Sequence, residues 1–590
     1  MRKALAELIH ARLAPLVAEF VPNPRDFFEL QTTPDPAKGD FALNAAMKLA
    51  KPARTRPLDL AQKMVAALAA ETAWFTKVEA VPPGFINLFL TDEAITRELG
   101  RFAEDAEMGL RRDGRPETVV VDYSSVNIAK QMHVGHLRST IIGDVLARVL
   151  SARGDRVIRQ NHLGDWGLPM AMVLWKATPL LRDLEAKGLD PARELSLAQL
   201  ETLYREATRA CEAQPEAAAA CHDILVRLQN GDAVLLQDWR TITRLSMREV
   251  YRLYEELGVL LTQEDEAGES HYRDSLADTV RQIRESGHLV ESRGAQCVFL
   301  EHFKAKDGSP LPVIVQKSDG GFNYETFDLA AILYRIHALK ASRLIYVTDA
   351  RQALHFAQVF DVAHVCGWTK DPGRPVTLEH VPFGSVLGED NKPLKTRSGE
   401  NVKLADLLAE AVERARAVVE EKNPDLPEET KRQVARMVGI GAIKYADLSQ
   451  NRNNDYVFSF PRMLALQGNT APYLQYAHAR ICSIFRKAGL PADGAFGPPR
   501  LGHPAERALA LKLQELPTAV AAVAAELRPH TLCNYLYELA TQFTSFYDQC
   551  PVLTCEDPAR KQARFFLCRL TQRVLARGLD LLGIDAPREM

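Results

Sequence analysis

One stretch of this 590-residue chain, Thr118–Gly167, constrains the fold more than any other. It opens with the apolar run Thr118–Val121, which ends on Asp122 and Tyr123 and reads as a buried strand. A polar loop, Ser124–Gln131, follows. Gly135–Ala152 then puts Leu137, Ile141, Val145 and Val149 on one face, which predicts a helix, and Gly154 ends it. Arg156–Gln160 restarts a strand, and that strand runs into Asn161-His162-Leu163-Gly164-Asp165-Trp166-Gly167. Strand, helix, strand, with polar motifs at the carboxyl ends of both strands, predicts an open parallel sheet. Ligands bind at that edge of such sheets.

The helix begins at His133-Val134-Gly135-His136. Gly135 lets a flat ring approach the backbone. A helix N-terminus and two imidazoles can hold phosphate oxygens. In this setting HVGH resembles the HIGH signature of class I aminoacyl-tRNA synthetases. The longer string SSVNIAKQMHVGHLRSTIIGD is similar to the arginyl-tRNA synthetase version of it. The resemblance implies a multidomain α/β protein. Its parts would be a doubly wound, Rossmann-like catalytic core, a small N-terminal α+β domain and an α-helical C-terminal anticodon-binding domain. It also implies a two-step reaction: ATP with Mg²⁺ activates L-arginine to the adenylate, and tRNA(Arg) takes the arginyl group. Efficient activation would need bound tRNA. ATP would be a substrate, with no tightly bound cofactor.

Composition fits an ordinary globular chain, 46% apolar and 25% charged. Nine cysteines include no CxxC pair, so reduced thiols and no zinc or other metal site are expected. No signal sequence and no apolar run long enough to span a bilayer is evident, which predicts a cytoplasmic protein without membrane contact. Net charge is only −3, so RNA must be met by local patches rather than a basic surface. Without dimerisation heptads, a monomer is expected.

Turn-rich, charged RRDGRP marks a boundary near 112; the chain is expected to divide at about 1–112, 113–400, 401–450 and 451–590, with a helical insertion at about 176–260. In the first part, helices are expected at 1–20, 40–52 and 58–72. VPPGFINLFL predicts a strand with Phe85, Asn87 and Phe89 on one face. GDFALN and GFINLFL resemble the N-terminal additional domain of arginyl-tRNA synthetases, which implies tRNA contact through Asn87. That family often has Tyr-x-Asn where this chain has Phe85-Ile86-Asn87, so the ring at 85 can only stack.

Further on, Tyr324 and Asp328 lie four apart at a predicted helix start and share a face. Helix capping and dipole pairing would account for the two residues as well. Leu344–Val347 predicts another strand, with Asp349, Gln352 and His355 at its polar end. A guanidinium is best held by a two-pronged carboxylate contact beside an aromatic face. The resemblance implies that Tyr324, Asp328 and Gln352 bind the arginine side chain. It assigns Asp122 and Asn127 to the amino and carboxylate end; some members carry Glu at the position of Asp122.

Class I synthetases place a KMSK loop after the second half of the core. This chain reads Lys395-Thr396-Arg397-Ser398-Gly399, with Ser398 where the second lysine would stand. Pentavalent phosphorus still needs positive charge around it. The resemblance implies that Lys130 compensates, with Lys392, Lys395 and Arg397 adding charge. The expected catalytic set is therefore His133, His136, Lys130 and Lys395, and the ATP contacts are His133, Gly135, His136, Lys395 and Arg397.

Residues 451–590 hold 16 Lys+Arg against 12 Asp+Glu, so this part carries +4 and the remainder −7. Arg569, Arg573 and Arg577 form a helical stripe. Tyr473, Tyr476, His478, Arg480 and Arg486 fall in one helical segment, and aromatics interleaved with arginines suit unpaired bases. YLYELATQFTSFYDQCPVL and the ending LLGIDAPREM resemble the anticodon-binding domain of the same family, so Tyr473 and Arg480 join Asn87 as tRNA-binding candidates. Two other readings fit the residues. One is another class I synthetase or a nucleotidyltransferase with an HxGH site. The other is a tRNA-binding paralogue that has lost catalysis.

Overall fold

The computed structural model describes residues 1–33, 35–370, 374–395, 401–491, 494, 496, 497 and 499–590. Its centre is a four-stranded parallel sheet in the order Thr377–Phe383, Arg343–Asp349, Thr118–Asp122, Arg156–Gln160. Val119, Val120, Val121, Leu344, Ile345 and Val347 are fully buried in the two middle strands. Helix Val134–Ala152 connects one middle strand to its outer neighbour, and helix Ala353–Val365 does the same on the other side. The two crossovers run in opposite directions from the middle. The strand order thus reverses between Thr118–Asp122 and Arg343–Asp349, and a crevice opens at their carboxyl ends.

The N-terminal part is an antiparallel sheet, Leu30–Thr32, Phe41–Leu43, Phe85–Leu90 and Phe75–Val81 in that order, covered by helices Arg2–Val17 and Pro57–Leu68. The helix expected at 40–52 is corrected. Phe41–Leu43 is a strand, and only Ala45–Leu49 is helical. Ladders on both sides of Phe41–Leu43 override the helix propensity of its Ala and Leu. Ile86, Leu88 and Leu90 form the core face of strand Phe85–Leu90, opposite Phe85, Asn87 and Phe89. Even so, Asn87 is only 8% exposed, flanked across the ladders by Ala42 and Glu79.

Between the halves of the core lie helices Leu168–Ala186, Pro191–Glu194, Leu197–Ala213, Pro215–Gln229 and Ala233–Leu257. The alanine-rich AQPEA segment is where two of them turn, with Pro215 as a first helical residue. A three-stranded antiparallel sheet, Leu289–Ser292, Ala295–Val298 and Val313–Gln316, returns the chain to the core.

The C-terminal part packs helices Ala471–Ala488, Pro504–Leu513, Leu516–Glu526, His530–Gln549 and Pro558–Leu581. Pro504–Glu526 is long and apolar enough to cross a membrane by length and composition, contrary to the sequence expectation. Here it is two helices with a break at Gln514, and half of its most apolar window is buried. The arginine stripe lies on helix Pro558–Leu581 as expected, and its guanidinium groups are taken by protein partners. Arg573 Nη1 donates to Ala103 O at 2.7 Å, Arg569 Nη1 to Gly494 O, and Arg577 pairs with Asp580. Arg507 bridges to Asp40 at 2.6 Å and to Asp92 at 3.0 Å. These basic groups bind the helical part to the N-terminal part or to itself.

The helix carrying HVGH is anchored deeper still. Arg138, 1% exposed, meets fully buried Asp447 at 2.9 Å on helix Glu428–Leu448, and its Nη1 donates to Asn454 O. Buried Lys444 on the same helix donates to Leu257 O and to Gly583 O, and burial lowers its pKa to about 8.

Candidate active site

The loop that leaves strand Thr118–Asp122 is strained. Ser124, Ser125 and Ala129 all have positive φ, 72°, 49° and 61°. Each N–H is caught by a side chain from elsewhere: Ser124 by Ser139 Oγ, Ser125 by Asn161 Oδ1 and Ala129 by Ser246 Oγ, at 2.9–3.1 Å. Residues held in such regions persist where their surroundings over-determine them, and they cluster at functional sites. Asn127 bridges to Gly164, and a Cβ at Gly164 would meet Asn127 Oδ1 at 2.5 Å. The two motifs of the strand ends are therefore packed against each other.

His133 caps its own helix. Its Nδ1 accepts the Gly135 N–H at 3.0 Å, and His136 Nδ1 accepts the His133 N–H at 3.1 Å. The rings lie 4.0 Å apart. A Cβ at Gly135 would come within 2.8 Å of the His133 ring, so this capping geometry requires glycine. With Nδ1 accepting in both rings, the neutral tautomer carries its proton on Nε2. Burial lowers both pKa values, that of His136 to about 3, helped by the charge of Lys130. At neutral pH the motif thus offers two uncharged Nε2–H donors at a helix N-terminus.

Positive charge comes from flanking segments. Lys130 is half-buried with Nζ 4.5 Å from the Tyr204 ring centroid. Lys395 is exposed and bridges to Asn401. The chain then returns beside the motif, where Val134 N–H donates to Val402 O and Leu404 N–H to Met132 O. Both flanks of the lysine loop are thus tied near His133. Arg397 lies outside the described residues.

On the other side of the crevice, helix Tyr324–His337 brings Asp328 and Arg335 to the sheet edge. Asp328 Oδ2 meets His355 Nε2 at 2.6 Å. Burial alone would raise the Asp328 pKa, but His355, His162 and Arg335 hold it below the ordinary value. Tyr324 is 63% exposed at the start of the same helix, and Gln352 is exposed at the cap of helix Ala353–Val365. Asp122 is placed less simply than the sequence suggests. Its Oδ2 pairs at 2.7 Å with the fully buried Arg335, which also donates to Gln160 Oε1, and its Oδ1 accepts from Ser125 Oγ.

One acidic group escaped the sequence reading. Glu269 is buried, accepts the Trp166 N–H at 3.2 Å, and interacts electrostatically with both Asp328 and Tyr324. Burial, then Asp165, pushes its pKa up to about 7. Its only sequence signal is the carboxylate in Gly268-Glu269-Ser270, directly after the insertion. Ser270 Oγ meets Asp165 Oδ2 at 2.6 Å, so this short motif folds onto LGDWG.

A second candidate surface lies in the C-terminal part. A cleft of about 670 Å³ is lined by Lys422, Tyr476, Arg480, Arg486, Tyr547 and the C-terminal Met590. The Arg480 guanidinium stacks 4.4 Å from the Tyr547 ring centroid. Tyr473 lies outside the cleft lining, packed against Tyr537. His478 is buried and bound to Pro587 O, and Arg486 donates to Arg588 O, so both hold the chain end.

Comparison with known proteins agrees with this architecture. Residues 103–460 match the class I (R) tRNA synthetase catalytic domain, residues 3–90 the arginyl-tRNA synthetase N-terminal domain, and residues 474–590 the DALR anticodon-binding domain. The arginine–tRNA ligase of Azotobacter vinelandii is 48% identical over 562 residues, 95% of each chain. That of Pseudomonas fluorescens is 46% identical over the full length of both. Arginyl-tRNA synthetase structures from Plasmodium falciparum and Thermus thermophilus superpose with TM-scores of 0.82 and 0.81, at 28% and 27% identity, over 99–100% of the chains. A parallel core with HVGH at its switch point, a helical C-terminal part and these matches along the whole length have one reading: the chain belongs to the arginyl-tRNA synthetases, class I enzymes that ligate arginine to tRNA at the expense of ATP.

Proposed function

We propose that the two ends of the crevice divide the first step of arginine–tRNA ligation. His133 and His136 donate Nε2–H groups to ATP phosphate oxygens, and adenine lies against Gly135. Lys130, Lys395 and Arg397 neutralise the charge that builds on phosphorus as the arginine carboxylate attacks. Alignment and charge neutralisation suffice for this displacement, without a protein nucleophile. Mg²⁺ enters with ATP, held by phosphates and water; among the described residues, no group of three or more His, Cys, Asp or Glu side chains offers it a site.

Asp328 and Glu269 take the guanidinium, with Tyr324 against its face and Gln352 as a neutral acceptor. Asn127 meets the α-amino end. Asp122 fixes Ser125 and Arg335 beside it. The observation that carries this reading is the gathering of Asp328, Glu269 and Tyr324 across the crevice from HVGH. ATP–pyrophosphate exchange with arginine and with citrulline, its uncharged isostere, tests it. Exchange is expected with arginine and not with citrulline, and only at full rate when tRNA is present. Equal rates with the two amino acids would remove the charge-pairing role.

For the tRNA, the proposal places an unpaired base in the Arg480–Tyr547 cleft, with stacking and phosphate contact as its means. Asn87 and Tyr473 are half-buried or buried, so they support these contacts through packing. The chain works as a cytoplasmic monomer, with functional divisions near residues 112, 400 and 450. Size-exclusion chromatography with light scattering checks the monomer.

A further inference from the structure

Three consecutive residues of the loop before HVGH are held by the helical insertion. Ala129 N–H donates to Ser246 Oγ at 3.1 Å, Lys130 Nζ stands 4.5 Å from the Tyr204 ring centroid, and Gln131 Nε2 donates to Glu201 Oε2 at 2.9 Å. Glu201 and Tyr204 are three apart on helix Leu197–Ala213, so they share a face. That face reaches both ends of the crevice: His133 feels the charge of Glu201, and Tyr204 interacts with Tyr324.

We propose that Tyr204 is a positioning residue for adenylate formation, its ring holding the Lys130 ammonium beside His133-Gly135-His136. The inference rests on the phosphate role given to Lys130 above. A lysine head group on a four-carbon stem has many rotamers, and an aromatic face narrows them. A carboxylate partner would do the same but would cancel the charge and occupy the N–H donors. A ring leaves the charge uncompensated and the donors free to turn toward phosphate. Tyr204 is half-buried, so leucine can replace it without emptying a core site.

Pyrophosphate exchange with tRNA present, on Tyr204→Phe, Tyr204→Leu, Lys130→Gln and the double variant Tyr204→Leu/Lys130→Gln, tests this. Tyr204→Phe keeps the ring and stays within about twofold of the parent, whereas Tyr204→Leu loses about tenfold in kcat, the scale of a partly desolvated cation–π contact. The arginine KM moves little in either. Because Tyr204 acts through Lys130, the double variant is no slower than Lys130→Gln alone. Thermal melting confirms that each variant folds. Equal losses in Tyr204→Phe and Tyr204→Leu, or losses that multiply in the double variant, overturn the inference alone. So does a slow Lys130→Gln beside a normal Tyr204→Leu. An unchanged rate in Lys130→Gln removes the phosphate role of Lys130, and the inference with it.

Discussion

At the proposed nucleotide end of the crevice, His133 and His136 are neutral at pH 7 and the positive charge arrives on Lys130 and the segments flanking the lysine loop. At the proposed amino-acid end, Asp328 and Glu269 are acidic groups sunk into the structure, and Asp328 is already paired with His355. The two ends face different tasks. A guanidinium carries a permanent charge, so fixed carboxylates can wait for it. The charge on phosphorus peaks only in the transition state. There, preorganised neutral donors and a few cations beside them stabilise the transition state more than the ground state.

The largest expected effect separates the ends outright. Asp328→Asn should weaken arginine by roughly 2–4 kcal/mol, since a buried charge loses its partner, while the ATP KM stays put. Equal movement of both constants would break the comparison. Next is His136→Ala, which should lower kcat of exchange by about a hundredfold, the scale of one lost oxyanion donor, with the arginine KM little changed. Gly135→Ala tests the same end by geometry. Its Cβ would press the His133 ring at 2.8 Å, so kcat should fall although no functional group is removed.

A smaller effect comes from pH. Glu269 titrates at about 7, above the ordinary carboxyl value, because it is buried beside Asp165. Only the ionised form attracts a guanidinium. Arginine affinity should therefore rise as pH climbs through 7, by about tenfold between roughly pH 6 and pH 8. Glu269→Gln should flatten that dependence. By linkage, the free protein loses the stability of the protonated Glu269 as pH rises from the ordinary carboxyl value of 4.5 to about 7, so arginine should raise the melting temperature most above pH 7. The smallest change is expected for Tyr324→Phe, which keeps the face of the ring and should cost under about 1 kcal/mol in arginine binding.

Much of this was legible in the sequence where local pattern and tertiary demand agree. Strand Arg156–Gln160 matches its expected bounds, and helix Val134–Ala152 starts one residue earlier than expected, because hydrophobic period, caps and burial all point one way. HVGH and the Tyr324–Asp328 spacing were legible for the same reason. Charge patterns were not. Arg569, Arg573 and Arg577 read as a basic stripe on one helical face, yet Arg573 reaches Ala103 O and Arg569 reaches Gly494 O; a helical face does not say what lies opposite it. Glu269, Glu201 and Tyr204 were missed for the mirror reason. Each reaches the site across a long sequence separation, and nothing in its neighbours signals that. Asp122 illustrates a third case: its place at the end of a strand was legible, but Arg335, 213 residues away, claims one of its oxygens.

The claim that the nucleotide end works with neutral imidazoles is tested most directly by ¹⁵N imidazole NMR of the free enzyme across pH. His136 and His133 should appear as Nε2–H tautomers, with His136 unprotonated down to pH 5. An imidazolium signal for His136 appearing near its ordinary pKa of 6.5, or an Nδ1–H tautomer for either ring at neutral pH, would contradict the account.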